Sequence, residues 1–359
     1  MKDIPAASEL TNPERDTVEE PAPTRFQRRS TGDGRVMRLL EQFGLPLLLV
    51  AMIVVFAVNP TTGAVFSSEA NINNILGNQA VTALVALAMV VPLVAGYFDL
   101  SVSAVTGLSN IAVAAIIGPY GLPIPVGIVI GLVIGALIGF LNGFLVAKVR
   151  LNGFVVTLGT YTFLLGVIAY YTHGALITSG IPPSFGDWTS ETTLGVPRPF
   201  ILLVIVAAII WYVLAHLPYG RRLASIGSNE DAARLVGINT TRVIWTSFVI
   251  SGVLAAAAGA LQTSRGGAGD PTIGSAYLFP ALAAVFLGAT AIKPGHYNVW
   301  GTIVGVYFLA TSVSGLSLLG ADVWVQPVFD GIALVLAVAL STLIARRRER
   351  NAAKTALPQ

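Results

Sequence analysis

The amino-acid sequence predicts an all-α, polytopic membrane protein with about ten transmembrane helices. Three features predict this fold class: a high apolar content, a low charge, and long apolar runs that recur along the chain. Of the 359 residues, 54% are hydrophobic and 11% are charged, whereas roughly 25% of the residues in soluble domains are charged. The mean hydropathy is +0.76. A soluble core does not need this much apolar surface, so we expect the chain to lie in a lipid bilayer.

Ten apolar segments are candidates for transmembrane helices, although some are shorter than the roughly 20 residues that a span needs. They cover residues 43–58, 75–95, 101–117, 123–147, 154–171, 200–217, 243–263, 277–292, 300–320 and 328–345. Together they form a predicted transmembrane domain, residues 43–345. Residues 1–42 are polar and contain four prolines, so we predict a disordered cytoplasmic tail that starts at Met1 or Met37. Residues 346–359 are predicted to form a basic cytoplasmic tail.

Basic residues are distributed unevenly across the predicted membrane. With the N-terminus in the cytoplasm, ten spans place 19 of the 21 Lys and Arg residues on the cytoplasmic side, and only Arg198 and Arg265 outside. Cytoplasmic segments of membrane proteins are rich in Lys and Arg. The asymmetry therefore supports ten spans in an inner-membrane protein with both termini in the cytoplasm. It also accounts for the net charge of +3 without a nucleic-acid partner.

Glycine recurs at every fourth residue of the fourth span. The glycines are Gly127, Gly131, Gly135, Gly139 and Gly143. They lie on one helix face, and small residues let two helices approach closely in lipid. We therefore predict a packing face, with a gap for substrate as the alternative. Gly301 and Gly305 of the ninth span repeat the spacing of Gly135 and Gly139. With five spans in each half, the halves would be inverted repeats, which are typical of transporters.

The longest cytoplasmic loop between spans, residues 221–242, carries the start and stop signals of a short helix. Ser228 with Asp231 three residues later has the form of a capping box, and Gly237 is suited to end a helix. We therefore predict a helix over residues 229–236, outside the membrane. Eight residues are marginally stable alone, so this helix is expected to dock onto another surface.

Three segments carry more specific motifs. Residues 230–237 read EDAARLVG, residues 96–103 read GYFDLSVS, and residues 152–160 read NGFVVTLGT. The first is similar to the E-A-A-x-x-x-G loop of binding-protein-dependent ABC permeases, with the register displaced by one at Asp231. The other two resemble the G-G-x-D-L-S-V-G and P-F-[IV]-V-T-L-G-T runs of the ribose-type monosaccharide permeases, although Tyr97 replaces a glycine of the family run. The resemblance covers about residues 45–345.

The resemblance implies a transport subunit that is not itself an enzyme. In that family the permease is a homodimer or heterodimer, an extracytoplasmic binding protein delivers a monosaccharide or sugar alcohol, and cytoplasmic ATPase subunits bind ATP and Mg²⁺. No cofactor is expected in the permease. This chain contains no G-x-x-x-x-G-K-[ST] run, so another polypeptide is expected to bind ATP. The residues expected to couple to the ATPase are Glu230, Asp231, Ala232, Ala233, Arg234 and Gly237.

Asp99 is a carboxylate between two apolar spans, and ionisable residues near the membrane interior are candidates for function. It is expected to cap the helix that begins near Leu100, to line the path of the sugar, or to do both. Several polar residues within or next to spans are further candidates for this path, with hydrogen bonding between helices as the alternative. They are Ser101, Asn142, Thr157, Thr160 and Gln262.

Other classes of function fit the sequence less well. His173, His216 and His296 are isolated, and neither an H-E-x-x-H nor a G-x-S-x-G motif is present, so a metal site or a membrane enzyme is not predicted. A permease of the same fold for branched-chain amino acids or nucleosides is one alternative, and an ion-coupled secondary transporter is another. The few interior charges favour a neutral sugar over a zwitterion.

Overall fold

The computed structural model describes residues 33–339, with side chains described for residues 42–339. Each of the ten predicted spans falls on a helix, and the protein is an all-α polytopic bundle. The first half contains α1 (Asp33–Val58), α2 (Gly63–Phe66), α3 (Glu69–Val94), α4 (Ser101–Ile117), α5 (Ile124–Gly143), which continues as a π-helical turn (Phe144–Lys148), and α6 (Gly153–Thr172).

The second half begins with a short insertion that contains α7 (Pro183–Ser190) and an antiparallel pair of two-residue strands, β1 (Thr192–Thr193) and β2 (Val196–Pro197). The remaining helices are α8 (Arg198–His216), α9 (Pro218–Ser228), α10 (Glu230–Leu235), α11 (Thr240–Gly266), α12 (Ile273–Ala276), α13 (Leu278–Gly288), α14 (Val299–Leu318) and α15 (Val325–Ala339).

Six of these helices are long and apolar enough to cross a membrane: α3, α5 with its π-helical turn, α6, α8, α11 and α14. Four shorter apolar helices coincide with the other predicted spans. They are Gln42–Val58 in α1, α4, Ile273–Gly288 across α12 and α13, and α15. The sequence therefore located every apolar helix among the described residues, and the third helix of each half, α4 and Ile273–Gly288, is short.

The first helix begins at Asp33, ten residues before the predicted span. Residues 33–42 were predicted to belong to the disordered tail, and this part of the prediction is wrong. The apolar run starts only near Phe43, but the preceding Arg, Met, Leu, Glu and Gln residues favour a helix. Hydropathy therefore marks the membrane-embedded part and misses a polar extension. The predicted tail segments 1–32 and 346–359 lie outside the described residues.

Helices α3 and α11 form the centre of the bundle. They pack against each other, α11 also packs against α4 and α5, and α3 also packs against α8, α13 and α14. Both are mostly buried, whereas α5, α6 and α8 carry large exposed apolar faces. Such faces are expected to contact lipid or another subunit.

The packing of helices repeats between the two halves. The contact of α4 with α5 corresponds to that of α13 with α14. Helix α11 of the second half packs on α4 and α5 of the first half, and α3 of the first half packs on α13 and α14 of the second. The glycine pairs do not follow this correspondence, because Gly135 and Gly139 pack on α11 whereas Gly301 and Gly305 pack on α13. The reciprocal packing supports the five-plus-five repeat, and the glycine spacing is not part of it.

The glycine stripe of α5 is a packing face, as predicted. A methyl group added at Gly135 would overlap the backbone of Gly252, and one at Gly139 would overlap the carbonyl oxygen of Phe248, both on α11. Gly127 and Gly131 face α4 in the same way. The two backbones approach so closely that only hydrogen fits between them, which accounts for glycine at this spacing.

We expect Gly139→Ala to destabilise the protein by about 1–3 kcal/mol, because the added methyl group must push α5 away from α11. Gly166→Ala is the matched control: it lies in α6 and an added methyl group there meets no atom within 4 Å. The midpoint of thermal unfolding in detergent should fall for Gly139→Ala and should be unchanged or higher for the control. Equal midpoints for the two variants would contradict the packing role.

Candidate functional site

The chain is interrupted between α3 and α4, at residues 95–100. Helix α3 ends in a Schellman motif, in which the amide of Gly96 donates to the carbonyl of Leu93 (2.9 Å) and that of Tyr97 donates to the carbonyl of Pro92 (3.1 Å). Gly96 has a φ of +84°, which a glycine adopts without strain. This motif turns the chain sharply and directs Asp99 into the bundle.

Asp99 is buried and accepts three hydrogen bonds at the start of α4. Its Oδ1 accepts from the amide of Ser101 (3.1 Å) and from the Ser101 hydroxyl (2.6 Å), and its Oδ2 accepts from the Ser251 hydroxyl of α11 (2.8 Å). Asp99 is not the N-cap, which is Leu100, and Leu100 makes no side-chain capping bond. Asp99 instead satisfies the amide of the first residue of α4 from one position further back, and it also ties α4 to α11.

The network continues across two more helices. The Asn142 amide of α5 donates to the Ser101 hydroxyl (2.9 Å), and the Thr160 hydroxyl of α6 donates to the Asn142 carbonyl oxygen (2.7 Å). The structure thus links Asp99, Ser101, Asn142 and Thr160 into one chain of hydrogen bonds. No cation forms an ion pair with Asp99 within the described residues, and its hydrogen-bond partners there are hydroxyl and amide groups.

The network lies well inside the bundle. Ser251 is eleven residues from the first residue of α11, which corresponds to about 16 Å along a 27-residue helix. Helix α4 has 17 residues and a length of about 25 Å, less than the roughly 30 Å hydrocarbon core. Short helices at corresponding positions of two repeats are a pointer to a transport path, and α4 and α13 occupy such positions.

The remaining predicted path residues lie beside the network or apart from it. The Thr157 hydroxyl donates to the carbonyls of Gly153 (2.9 Å) and Phe98 (3.3 Å), next to Asp99. Gln262 is separate, because its side-chain oxygen accepts from Tyr277 beside α13 (2.7 Å). Sequence reasoning missed Ser251, because a serine within an apolar helix carries no distinguishing signal. The assignment of these residues to a path stays a prediction.

The predicted cytoplasmic helix is present as α10, with a different cap. Asn229, not Ser228, is the N-cap: its side-chain oxygen accepts from the Ala232 amide (2.9 Å). Ser228 is the last residue of α9, and its hydroxyl donates to the Ala224 carbonyl of that helix (3.0 Å). The sequence did not reveal that a second helix ends directly before the cap. The predicted stop is confirmed, because Gly237 has a φ of +85°.

Helix α10 presents one apolar face to its own chain and another outward. Ala233 is 4% exposed and packs within the bundle. Ala232 and Asp231 are exposed, and Leu235 and Val236 are 88% and 77% exposed. A partner can therefore contact Ala232, Leu235 and Val236, whereas Ala233 is already covered. The motif match did not single out Leu235 and Val236.

Tyr97 connects the interruption before α4 to α10. Its hydroxyl donates to Oε2 of Glu230 (2.6 Å), and Oε1 of Glu230 pairs with Arg234 (2.8 Å). Burial, together with the hydrogen bond to the Glu230 carboxylate, raises the pKa of Tyr97 above its ordinary value, so Tyr97 stays protonated and remains the donor. The tyrosine that replaces a glycine of the family motif thus joins Asp99 and the loop around Glu230.

Among residues 42–339, no group of three or more His, Asp or Glu side chains is placed to hold a metal ion. The arrangement consists of hydroxyl, amide and carboxylate groups that bind one another and one cytoplasmic helix. It is suited to binding polar groups by hydrogen bonds.

Comparison with known proteins identifies the class of this membrane protein. Residues 71–338 match the family described as branched-chain amino acid transport system / permease component. The ribose import permease of Bacillus subtilis (strain 168) is 38% identical over 88% of this chain and 95% of its own length. That of Escherichia coli (strain K12) is 34% identical over 84% and 93%, and the xylose transport system permease of the same strain is 28% identical over 86% and 93%.

The protein is therefore a polytopic transport permease. It belongs to the branched-chain amino acid transport system / permease component family, within which its similarity is to import permeases named for sugars.

We expect Asp99→Ala to reduce uptake of the cargo more than it reduces association with the ATPase, because Asp99 lies inside the bundle and α10 lies at its surface. Asp187→Ala, which removes an exposed carboxylate from α7, is the control. Uptake and copurification of the ATPase are measured on the same membranes. Normal uptake, or equal loss of uptake and association, would remove Asp99 from the path.

Proposed function

We propose that this chain is the transmembrane permease subunit of an ATP-driven importer for a monosaccharide. The observation that carries the proposal is the similarity to sugar import permeases over most of the chain, at up to 38% identity among those compared. The chemistry of the interior supports it, because hydroxyl and amide groups with a single carboxylate surround the start of α4. Such groups form hydrogen bonds with sugar hydroxyls.

The proposed assembly contains two permease subunits, two cytoplasmic ATPase subunits that bind ATP and Mg²⁺, and an extracytoplasmic sugar-binding protein. Both termini face the cytoplasm, which the distribution of Lys and Arg supports. In this orientation α9 and α10 lie on the cytoplasmic side. The exposed Leu235 and Val236 then offer an apolar contact to the ATPase.

The proposed mechanism is alternating access without covalent chemistry. Movement of the ATPase subunits displaces α10, and the hydrogen bond from Tyr97 to Glu230 transmits this movement to the interruption before α4. The start of α4 is held by Asp99 to α11, so a shift there changes the packing of both halves. Rearrangement of packed helices of this kind is a common form of switching.

A permease for branched-chain amino acids is the second candidate, because the description of the family names that cargo. A zwitterion is best bound by two opposite charges or by the ends of interrupted helices. Asp99 has no paired cation in the described part of the chain, which favours the neutral cargo.

ATP-dependent uptake tests the proposed function. The chain, its copurified ATPase and the cognate binding protein are reconstituted into liposomes, and radiolabelled ribose, xylose and leucine are supplied on the side of the binding protein. We expect uptake of a sugar that requires hydrolysable ATP, and no ATP hydrolysis by the isolated chain. Uptake of leucine alone, or uptake driven by a proton or sodium gradient without ATP, would sink the proposal.

The coupling role of α10 is tested with a single cysteine, since the natural chain has none. Leu235→Cys should react with a membrane-impermeant maleimide from the cytoplasmic side and should be protected when the ATPase is bound. Leu194→Cys, 99% exposed beside β1 at the opposite end of the bundle, is the control and should react only from outside. Equal labelling of Leu235→Cys with and without the ATPase would show that α10 is only a linker.

A second pair of variants separates docking from folding. Ala232→Trp adds bulk on the exposed face and should abolish ATPase copurification at normal abundance. Ala233→Trp adds the same bulk where Ala233 is buried in its own chain, so it should lower abundance as well. Normal uptake by Ala232→Trp would contradict the contact surface.

A further inference from the structure

A polar cavity of the described bundle lies far from Asp99, at the other end of α3. It has a volume of about 390 Å³ and is enclosed mainly by the first turns of α3, the last turns of α14 and the start of α15. Small-molecule sites typically have volumes of about 300–1,000 Å³. Helix α3 has 26 residues, so about 39 Å separate its two ends. In the proposed orientation this cavity opens towards the extracytoplasmic side.

Side-chain amides dominate the polar lining, so we call this space the amide cavity. Its amides are Asn71, Asn74, Asn78, Gln79 and Gln326, with hydroxyls from Ser314, Ser317 and Thr82. Apolar residues such as Ile75, Leu309 and Val313 complete the walls. Amides both donate and accept hydrogen bonds, and the apolar walls suit the C–H face of a sugar ring.

Asp330 of α15 lines the cavity and is 6% exposed. No Lys, Arg or His pairs with it among residues 42–339, and no hydrogen bond to its carboxylate forms in that range. No fully buried side-chain oxygen of the described residues lacks a partner, so the Asp330 carboxylate is accessible from the cavity. Intramembrane carboxylates that face a cavity mark substrate pathways, and a ligand hydroxyl can donate to Asp330 there.

One cation, Arg265, contacts a lining residue of the cavity without lining it itself. Arg265 donates to the side-chain oxygen of Asn78 through Nε (3.1 Å) and through its terminal nitrogen, and it lines a separate cavity beside β1. Asn78 in turn donates to Asn74, which holds both amides in a fixed orientation. The amide cavity therefore contains one negative charge and no positive one, which fits a neutral polyhydroxylated ligand better than a zwitterion.

We propose that the amide cavity is a hydroxyl-binding subsite for the transported sugar, with Asp330 as the acceptor and the Gln79 and Gln326 amides as donors and acceptors. This inference rests on the proposed function and adds to it the place where the sugar first meets the permease. The subsite lies within one subunit and is built from both halves of the fold.

The test follows modification of a cysteine within the cavity. Ala310→Cys, which replaces a small lining residue and leaves the polar groups intact, is reacted with methyl methanethiosulfonate in the reconstituted importer. We expect ribose at about ten times its dissociation constant to slow the reaction roughly tenfold, because only unoccupied protein reacts. In the Asp330→Asn background, half-maximal protection should need roughly tenfold more ribose, because a bond to a charged acceptor is weakened.

Two further variants make the result specific. Gln79→Leu keeps the size of a lining side chain and removes its amide, and it should weaken protection in the same direction as Asp330→Asn. Glu69→Gln, an exposed carboxylate outside the lining of the cavity, should leave protection unchanged. Each variant is first checked for abundance and a monodisperse elution profile.

The outcomes distinguish the subsite from the proposed function. One outcome is that the importer takes up ribose while ribose does not slow modification of Ala310→Cys, and that Asp330→Asn imports at the normal rate. In that case the proposed subsite is wrong, and the proposed importer function is kept. Protection by leucine or by sodium ions in place of ribose would also overturn the subsite. If leucine is imported and no sugar is, both proposals fail.

Discussion

The absence of water in the hydrocarbon core is the constraint on which the rest of this structure depends. A helix may be interrupted there only if the freed backbone and polar groups find partners inside the protein. At residues 95–100 a Schellman motif satisfies the end of α3, and Asp99 satisfies the start of α4. The Ser251 hydroxyl of α11 donates a further hydrogen bond to the Asp99 carboxylate. The polar groups at this break are therefore satisfied from within the bundle, in part by a neighbouring helix.

Helix α11 packs closely against both α5 and α4. Gly252 lets α11 approach α5 at backbone distance, and Gly259 lets it approach the backbone of α4. Such tightly packed interiors transmit displacement instead of absorbing it. Helix α3 joins the amide cavity at one end to Tyr97, and through it to Glu230, at the other. The permease thus has a continuous element between the proposed sites of sugar entry and ATPase contact.

The errors of the sequence-based predictions share a physical cause, which is that local patterns do not report what faces what. Ser228 had the residue type and spacing of a cap, but it is the last residue of α9, and the cap of α10 is Asn229. Ala232 and Ala233 are identical in the sequence, yet only Ala233 is buried. Asp330 was within a predicted span but was not singled out, because its significance comes from a cavity formed with α3 and α14.

The sequence by itself determined the class, the ten apolar helices and the residues of the motifs. These follow from hydropathy and charge, because lipid selects for apolar length and the cytoplasmic side retains Lys and Arg. It also singled out Asp99, Ser101, Asn142 and Thr160 as polar residues in or beside apolar spans. Only the tertiary structure decided that these four form one network, that Ser251 belongs to it, and that distant amides share a cavity with Asp330. Hydrogen bonds across helices join residues far apart in the chain, and no local pattern encodes that proximity.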